Sequence, residues 1–489
     1  MFLEALSLGA LALGQRAHAR SGWGDVAPWF RAWRASRPLD PKLIPRLRDA
    51  VGRDGRVLVP GDADWDALLV AFNQRTQVTP ALRVMVDAPG AVSAAVAWAR
   101  EHAVPFAIRG GGHSYEGFSQ SAGLVIDMRP LNSIAIDGEA VRVGSGATLG
   151  QVYAAVGKRG LAFAAGSCPD VGIAGQTLGG GFGFLARRFG LSCDNVVAVE
   201  LVTAEGVVTT RADDDLFWAL RGAGSGSFGV VTRLDFDAHP LARVARFSTR
   251  WTVPIDDAVN VMSSWQAWAP HAPDAITSML SLGGRKGQEV ALTMHGQSTD
   301  SESALQSELA RVMRDVGLKP ELALKTSSAS WLASTGVGDG EASGLSTIMK
   351  GKSDYVERAL SADGMRTLFT GLCAHAGMIR VHCDGYGGAV ARVPRDATAF
   401  VHRAGTLFSM QYGSTWHDPK ATPKNVAAIR AVYDAMRTYV SGGAYCNYPD
   451  LDLDDWARRY WGDNVARLRR VKATVDPDDL FHHAQSVPV

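Results

Sequence analysis

The chain lacks any CxxC pair, and its five cysteines (Cys168, Cys193, Cys373, Cys383 and Cys446) are odd in number and widely spaced. That pattern gives no disulfide framework, so cysteine usage leaves the redox compartment open. No apolar run reaches the ~18 residues a membrane helix requires. An excess of one charge is missing too: 50 Lys and Arg stand against 49 Asp and Glu, a formal net charge of +1. Such a balance offers no electrostatic pull on nucleic acid or an anionic membrane. Repeats and low-complexity tracts are absent. The basic run Arg458, Arg459, Arg467, Arg469, Arg470 and Lys472 is balanced by Asp455, Asp463, Asp476 and Asp478, and reads as the solvated face of an amphipathic helix. His482-His483 has no third ligand at useful spacing, so no metal site is expected and the pair reads as solvated tail histidines.

The start of the chain gives two readings. Leu3 to Leu13 is mostly apolar and Ala17-His-Ala19 could be a small-x-small cleavage site, as in a secretory signal. Against this, no Lys or Arg precedes the apolar run and Glu4 sits inside it, which suits an amphipathic helix packed on the body. The composition, rich in Ala, Arg and Gly, points to a bacterium, with the protein either cytoplasmic or secreted to the periplasm or beyond.

What the chain has in quantity is glycine: 53 of 489 residues, against a usual ~7%. The length is too great for one compact core and implies two or three domains. Residues 20–75 look like a helical lead-in. From Leu82 strands and helices alternate: strands at 83–86, 105–108 and 124–128, a helix at 92–100, and a hairpin about Asp137-Gly138. Thr148 is placed to cap a helix over 149–159 that Gly160 ends. A strand from Asn195 to Thr203 should pair with 207–210 across a turn, and Val230 to Phe236 closes the unit. Beyond His239-Pro240 the pattern shifts, and apolar–polar alternation between 247 and 415 predicts an antiparallel sheet with helices on one face. Helices are expected at 424–440 and 456–472.

Three glycine loops stand out. The first is Arg109-Gly-Gly-Gly-His-Ser-Tyr-Glu-Gly117. Its glycines allow positive φ, so neighbouring N–H groups can form an anion nest, with Arg109 steadying either the loop or a phosphate. The second runs from Gly166-Ser-Cys-Pro-Asp-Val-Gly172 into Gly179-Gly-Gly-Phe-Gly183, and the third is Arg221-Gly-Ala-Gly-Ser-Gly-Ser-Phe-Gly229. None has the strand–GxGxxG–helix frame of a Rossmann dinucleotide site. One isolated His and one isolated Cys, each in backbone that can approach a ligand closely, suit a covalently held cofactor better than a metal.

Together these segments resemble the flavin domain of the berberine bridge enzyme-like oxidases, of the vanillyl-alcohol oxidase superfamily with a PCMH-type FAD-binding fold. Tyr386-Gly-Gly-Ala-Val-Ala-Arg-Val-Pro, Ala399-Phe-Val-His-Arg-Ala-Gly and Leu407-Phe-Ser-Met-Gln-Tyr are similar to the family's substrate-domain segments, and Tyr445-Cys-Asn-Tyr-Pro-Asp450 to its YxNY segment. The resemblance covers roughly residues 75–489. It implies an α+β fold of two parts: a lead-in at 1–74, an FAD-binding domain at 75–246, a substrate domain at 247–440 with an antiparallel sheet covered by helices, and a segment at 441–489 that completes the FAD domain.

The resemblance also implies roles. FAD would be held covalently by His113 at the 8α position and by Cys168 at C6. Arg109, Gly110, Gly111, Gly112, Ser114, Gly172, Gly175, Gly179, Gly180, Gly181, Gly183, Gly226, Gly229, Val230, Val231, Tyr445 and Asn447 would surround the cofactor. Flavin N5 would take hydride from an alcohol, hemiacetal or activated C–H of a sugar or secondary metabolite, and O2 would be reduced to H2O2. Tyr448 would be the base, Tyr445 being the alternative, with Tyr115 and Gln411 lining the site. A free phenol has pKa ≈ 10, so its anion needs support, for which the flavin, Asp384 and Tyr386 are candidates. Val171 would be a small gate for oxygen. Phe182 and Ser409 stand where many plant members have Tyr and Lys, so plant monolignol preference does not transfer. The partners implied are a small molecule and O2, in a monomer or homodimer. The competing readings are a same-fold dehydrogenase with another acceptor and a non-catalytic carbohydrate-binding descendant.

Overall fold

The computed structural model describes residues 39–337 and 347–489. The possible signal segment, 3–19, lies outside them. The protein is α+β and is built on three main sheets.

The first sheet has the order Gly55–Leu58, Leu82–Val86, Leu124–Asp127, Phe106–Arg109. Its first pairing is antiparallel and its other two are parallel. Leu82–Val86 and Leu124–Asp127 are buried at every residue, as strands covered on both faces must be. The lead-in carries the helices Leu43–Val51 and Trp65–Leu69, and it also holds a strand the sequence reading did not expect, Gly55–Leu58, which pairs along Leu82–Val86. Arg83 and Asp127 form a buried ion pair inside this sheet.

The second sheet is antiparallel, in the order Ile134–Asp137, Ala140–Gly144, Val230–Asp237, Val196–Thr203, Gly206–Arg211. It contains the hairpin about Gly138, whose φ is +59°. Thr148 caps the helix Leu149–Gly157 in a capping box with Gln151, satisfying two of its orphan N–H donors.

The third sheet has seven antiparallel strands: Leu322–Ser330, Arg243–Pro254, Glu289–Ser298, Ile276–Arg285, Ile379–Gly385, Phe408–Trp416 and, at the edge, Ile348–Val356. Helices Ile255–Trp268, Ala362–Ala374 and Thr422–Ala435 pack on it, and Glu302–Val316 lies against the first of them. Alternation assigns the faces. Leu280, Leu282, Val381, Cys383, Met410 and Tyr412 are buried. The opposite side carries Ser281, His382, Asp384, Ser409 and Gln411, in cross-strand register.

Two helices differ from the sequence reading. The helix expected over 424–440 spans Thr422–Ala435 and then tightens into turns in which Met436 N donates to Tyr433 O and Tyr439 N to Met436 O. The helix expected over 456–472 is broken into Trp456–Trp461 and Val465–Val475 by Gly462, at φ +50°.

The tail corrects two further readings. Lys472 is not part of a solvated face: it is fully buried, donating to Ser227 O, Phe481 O and Asp476 Oδ2 at 2.6–2.9 Å. Nor is His483 a free tail histidine. It stacks on Phe118 with centroids 4.3 Å apart, and its Nε2 lies 3.0 Å from Ser225 O. Burial pushes its pKa down to about 4. Both contacts fasten the C-terminal segment to the third glycine loop. Among the described residues no group of three or more His, Cys, Asp or Glu is arranged to hold a metal.

Candidate functional site

The first two glycine loops meet backbone to backbone. A Cβ on Gly111 would run into the amide nitrogen of Gly172, and a Cβ on Gly172 into that of Gly111. Only glycine permits this approach. The second loop is held from its other side. Leu149 N donates to Val171 O at 2.9 Å, Gly150 N to Pro169 O at 2.7 Å, and Tyr153 OH to Gly166 O.

This contact brings the predicted His and Cys together. His113 Nε2 lies 3.2 Å from Asp170 Oδ2, two residues after Cys168. The His113 ring stacks on Phe72, with centroids 4.5 Å apart. Cys168 is solvent-accessible and unbridged, which removes the reading of a buried small hydrophobe. Protein nevertheless surrounds it on most sides, and that burial, with Asp170, pushes its thiol pKa up.

Arg109 resolves one alternative. Its guanidinium donates to the carbonyls of Leu68 and Val70 and packs under Gly112, whose φ is +74°. It steadies the loop. Burial, with Arg129 and Arg83 nearby, lowers its pKa to about 10.

The other glycines divide by cause. Gly179 has Asn447 against it, Gly180 has Phe400, Gly181 has Ser192, Gly183 has Ala165 O and Gly229 has Val202 O. Those positions need glycine for packing within the protein. Gly226 faces His483. Val230 and Val231 are buried in the hydrophobic core, so only their backbone can serve a ligand. Gly175 is different, because a Cβ there would meet nothing within 4 Å. Ser145, whose carbonyl lies 3.7 Å from a Cβ built on Gly110, has a buried hydroxyl with no partner among the described residues. Open space over a glycine and an unsatisfied hydroxyl beside the nest fit the hydroxyl-rich, anionic body of FAD.

Facing this wall is a cluster of aromatics. Tyr115 and Tyr448 stack with centroids 5.5 Å apart and ring planes within 2°. Gln411 Nε2 donates to Tyr115 OH at 2.7 Å. Tyr445 stands edge-on to Tyr448 at 4.9 Å. Its hydroxyl accepts from Gly181 N at 2.8 Å and from Asn447 Nδ2 at 2.9 Å. Among the described residues none hydrogen-bonds the Tyr448 hydroxyl. Tyr386 is buried, with its hydroxyl 3.3 Å from that of Tyr355 and its ring stacked on Phe182 at 4.8 Å.

The electrostatics overturn one expectation. Burial raises the Tyr448 pKa well above the phenol value, and Asp384, Tyr115, Tyr445 and Cys168 raise it further. Asp384 therefore does not support a phenolate; ionised, it opposes one. Asp384 is itself buried and accepts from Ser409 Oγ at 3.1 Å. Burial pushes its carboxyl up to about 7, against the pull of Ser409.

Several residues of the site gave no sequence signal. Phe72 and Asn73 come from the lead-in; Asn73 Nδ2 donates to Tyr115 O at 2.6 Å. Arg187 is buried and donates to Ile276 O at 2.7 Å, to Pro270 O at 2.9 Å and to the carbonyls of Tyr386 and Ala272. It joins the second glycine run to the third sheet. Ser281 Oγ and His382 Nδ1 lie 2.8 Å apart beside Gln411, and burial lowers the His382 pKa to about 4.

Comparison with known proteins agrees with this geometry. The FAD binding domain family matches residues 80–211, and the berberine and berberine-like family matches 444–488. An uncharacterised FAD-linked oxidoreductase of Bacillus subtilis is 34% identical over 449 residues, covering 89% of this chain and 97% of the relative. A monolignol oxidoreductase of Arabidopsis thaliana is 32% identical over 436 residues, covering 81% of this chain and 82% of its own. The structure of berberine bridge enzyme from Eschscholzia californica is similar at a TM-score of 0.84 and 28% identity, covering 91% of this chain and 99% of that one. A glycine-to-alanine variant of berberine bridge enzyme, described as a reticuline dehydrogenase, matches at the same TM-score of 0.84. With an FAD-binding domain, two facing glycine loops and relatives that align along most of its length, the chain belongs to the berberine bridge enzyme-like FAD-linked oxidoreductases.

Proposed function

We propose that this oxidoreductase is an oxidase acting on an alcohol, hemiacetal or activated C–H of a small molecule, a sugar or secondary metabolite, with dioxygen as the electron acceptor and hydrogen peroxide as product. FAD, when bound, supplies the hydride acceptor. His113 and Cys168 are read as its two covalent attachment points, with the glycine loops, Ser114, Asn447 and Ser145 about it. The chain divides accordingly into the flavin part at 75–246 with 441–489 and the substrate part at 247–440.

One observation carries the choice of base. The Tyr445 hydroxyl already accepts two hydrogen bonds from Gly181 and Asn447, whereas among the described residues none engages that of Tyr448. Tyr448 is thus the residue whose oxygen is open to a substrate, and once ionised to the phenolate it would take the substrate proton. Gln411 fixes the Tyr115 hydroxyl, and the parallel rings of Tyr115 and Tyr448 form a flat support for a substrate. Val171 is read as the small residue that would let oxygen approach the flavin.

A second reading has its own observation. Asp384, with a carboxyl near 7, lies in the range where a general base is most effective, so it can serve as the acceptor in place of Tyr448. As to the electron acceptor, a single-residue variant of berberine bridge enzyme is a reticuline dehydrogenase, which makes a dehydrogenase the natural alternative.

The test is an anaerobic screen of sugars and phenolic alcohols for bleaching of the flavin absorbance, followed by admission of air. Bleaching, rapid return of colour and peroxide formation agree with the proposal. Bleaching without return in air favours the dehydrogenase. A flavin left oxidised by every substrate favours the non-catalytic reading.

A further inference from the structure

A closed chain of charges lies behind the edge strand Ile348–Val356. Lys350 and Lys352 leave that strand on the same side, as residues two apart must, and each is 2% exposed. Lys350 Nζ donates to Glu116 Oε1 and to Asp450 Oδ1, both at 2.6 Å. Lys352 Nζ donates to Asp450 Oδ2 at 2.7 Å and pairs with Asp452 Oδ2 at 2.8 Å. Arg75 closes one end on Glu116 Oε2 at 2.6 Å, and Arg430 closes the other on Asp452. Signs alternate along the whole series.

The front of the same strand carries the aromatic pair. A Cβ on Gly351 would lie 2.7 Å from Tyr115 Cδ2, so the Tyr115 ring rests against bare backbone. Ser353 Oγ accepts from Tyr445 N at 2.9 Å. Each tyrosine segment therefore passes the outer edge of the strand and sends a carboxylate behind it. Glu116 directly follows Tyr115, and Asp450 comes two residues after Tyr448. Lys350 holds both carboxylates on one ammonium.

Buried ion pairs seldom add net stability over apolar packing of the same volume. Their best-attested use is to fix one arrangement among several. Burial works against the Lys350 charge, but Glu116, Asp450 and Asp452 outweigh it and raise its pKa.

We propose that Lys350 is a positioning residue for proton transfer: by clamping Glu116 and Asp450 behind the edge strand, it fixes the parallel stacking of Tyr115 on Tyr448. It touches no substrate and carries no proton to or from it. The inference rests on Tyr448 being the base of the proposed reaction.

The experiment is a double-mutant cycle on the flavin-loaded full chain, with a substrate found in the anaerobic screen. Lys350→Met should lower kcat by about 10-fold to 100-fold, the scale of a misplaced catalytic group, with KM little changed and flavin content intact. Lys350→Arg should recover most of the loss. In a Tyr448→Phe background, Lys350→Met should cost less than about 3-fold more, because the group it positions is gone. An equal loss in both backgrounds overturns the proposal, since a merely structural role is additive. So does an unchanged kcat in Lys350→Met when Tyr448→Phe is impaired; that result leaves the base assignment standing. Full activity in Tyr448→Phe removes the base assignment itself, and the positioning role with it. If Lys350→Met does not fold, the charge-balanced pair Lys350→Met/Glu116→Gln replaces it in the same cycle.

Discussion

The two walls of the site are built in opposite ways. The wall bearing His113 and Cys168 is backbone against backbone: Gly111 and Gly172 touch where no side chain fits, and carbonyls of the second loop accept from the amides of Leu149 and Gly150 and from the Tyr153 hydroxyl. The wall bearing Tyr115, Tyr448, Gln411 and Asp384 is side chain against side chain, drawn from the first loop, two strands of the third sheet and the C-terminal segment. A backbone wall is suited to gripping a cofactor whose shape does not vary. A side-chain wall can change its chemistry by substitution without disturbing the loops. The comparison implies that lesions on the first side should alter cofactor attachment and folding, and lesions on the second should alter rate and pH dependence.

The sharpest break is expected on the side-chain wall. Tyr448→Phe should lower kcat by about 10²-fold to 10⁴-fold, the usual range for losing a general base, with flavin still attached. Tyr445→Phe should instead leave the buried Gly181 N–H without its acceptor, at a cost of about 1–3 kcal/mol in stability, and a much smaller loss of kcat. Steady-state rates and thermal melts of the two variants separate these outcomes. Similar kinetics for both would erase the distinction drawn from their hydrogen bonding.

On the backbone wall, His113→Ala with Cys168→Ala should release flavin into the supernatant on acid precipitation, while the parent chain keeps its colour in the pellet. Intact-mass measurement of the parent checks the same point, and an apo mass for it from every host would remove both attachments. Gly111→Ala, by contrast, changes no chemistry. It should cost about 1–3 kcal/mol through overpacking against Gly172, read as a lower melting temperature together with reduced flavin content.

The smallest effect is a matter of pH. Asp384 has its carboxyl raised to about 7, so it is protonated below that pH and ionised above it. If it accepts the proton, kcat/KM rises with pH through about 7, and Asp384→Asn abolishes that limb. If Tyr448 acts alone, ionising Asp384 makes the phenol harder to deprotonate, and Asp384→Asn should leave activity less dependent on pH in this range.

Much of the protein was legible in one dimension. The strands at 82–86, 124–127 and 196–203 follow from short, mostly apolar runs, and the Thr148 cap from its residue type and spacing. The break at Gly462 was visible only as a glycine inside an otherwise helical pattern, and sequence pattern alone did not show that the chain turns there. Lys472 and His483 misled because a charged or polar residue near a terminus is usually solvated, and their partners Ser227, Phe118 and Ser225 lie hundreds of positions away. Arg187 and Lys350 gave no signal for the same reason: a buried cation is defined by the carbonyls or carboxylates that surround it, and those come from distant segments.

The sequence by itself determined the glycine loops, the isolated His113 and Cys168, and the membership that follows from them, because positive φ and close backbone approach are demands that residue type alone can meet. The tertiary structure alone decided which tyrosine keeps a free hydroxyl, why Asp384 sits near neutrality, and how Lys350 ties two tyrosine segments to one strand. Those properties arise from desolvation and from long-range pairing, and neither exists until the chain has folded.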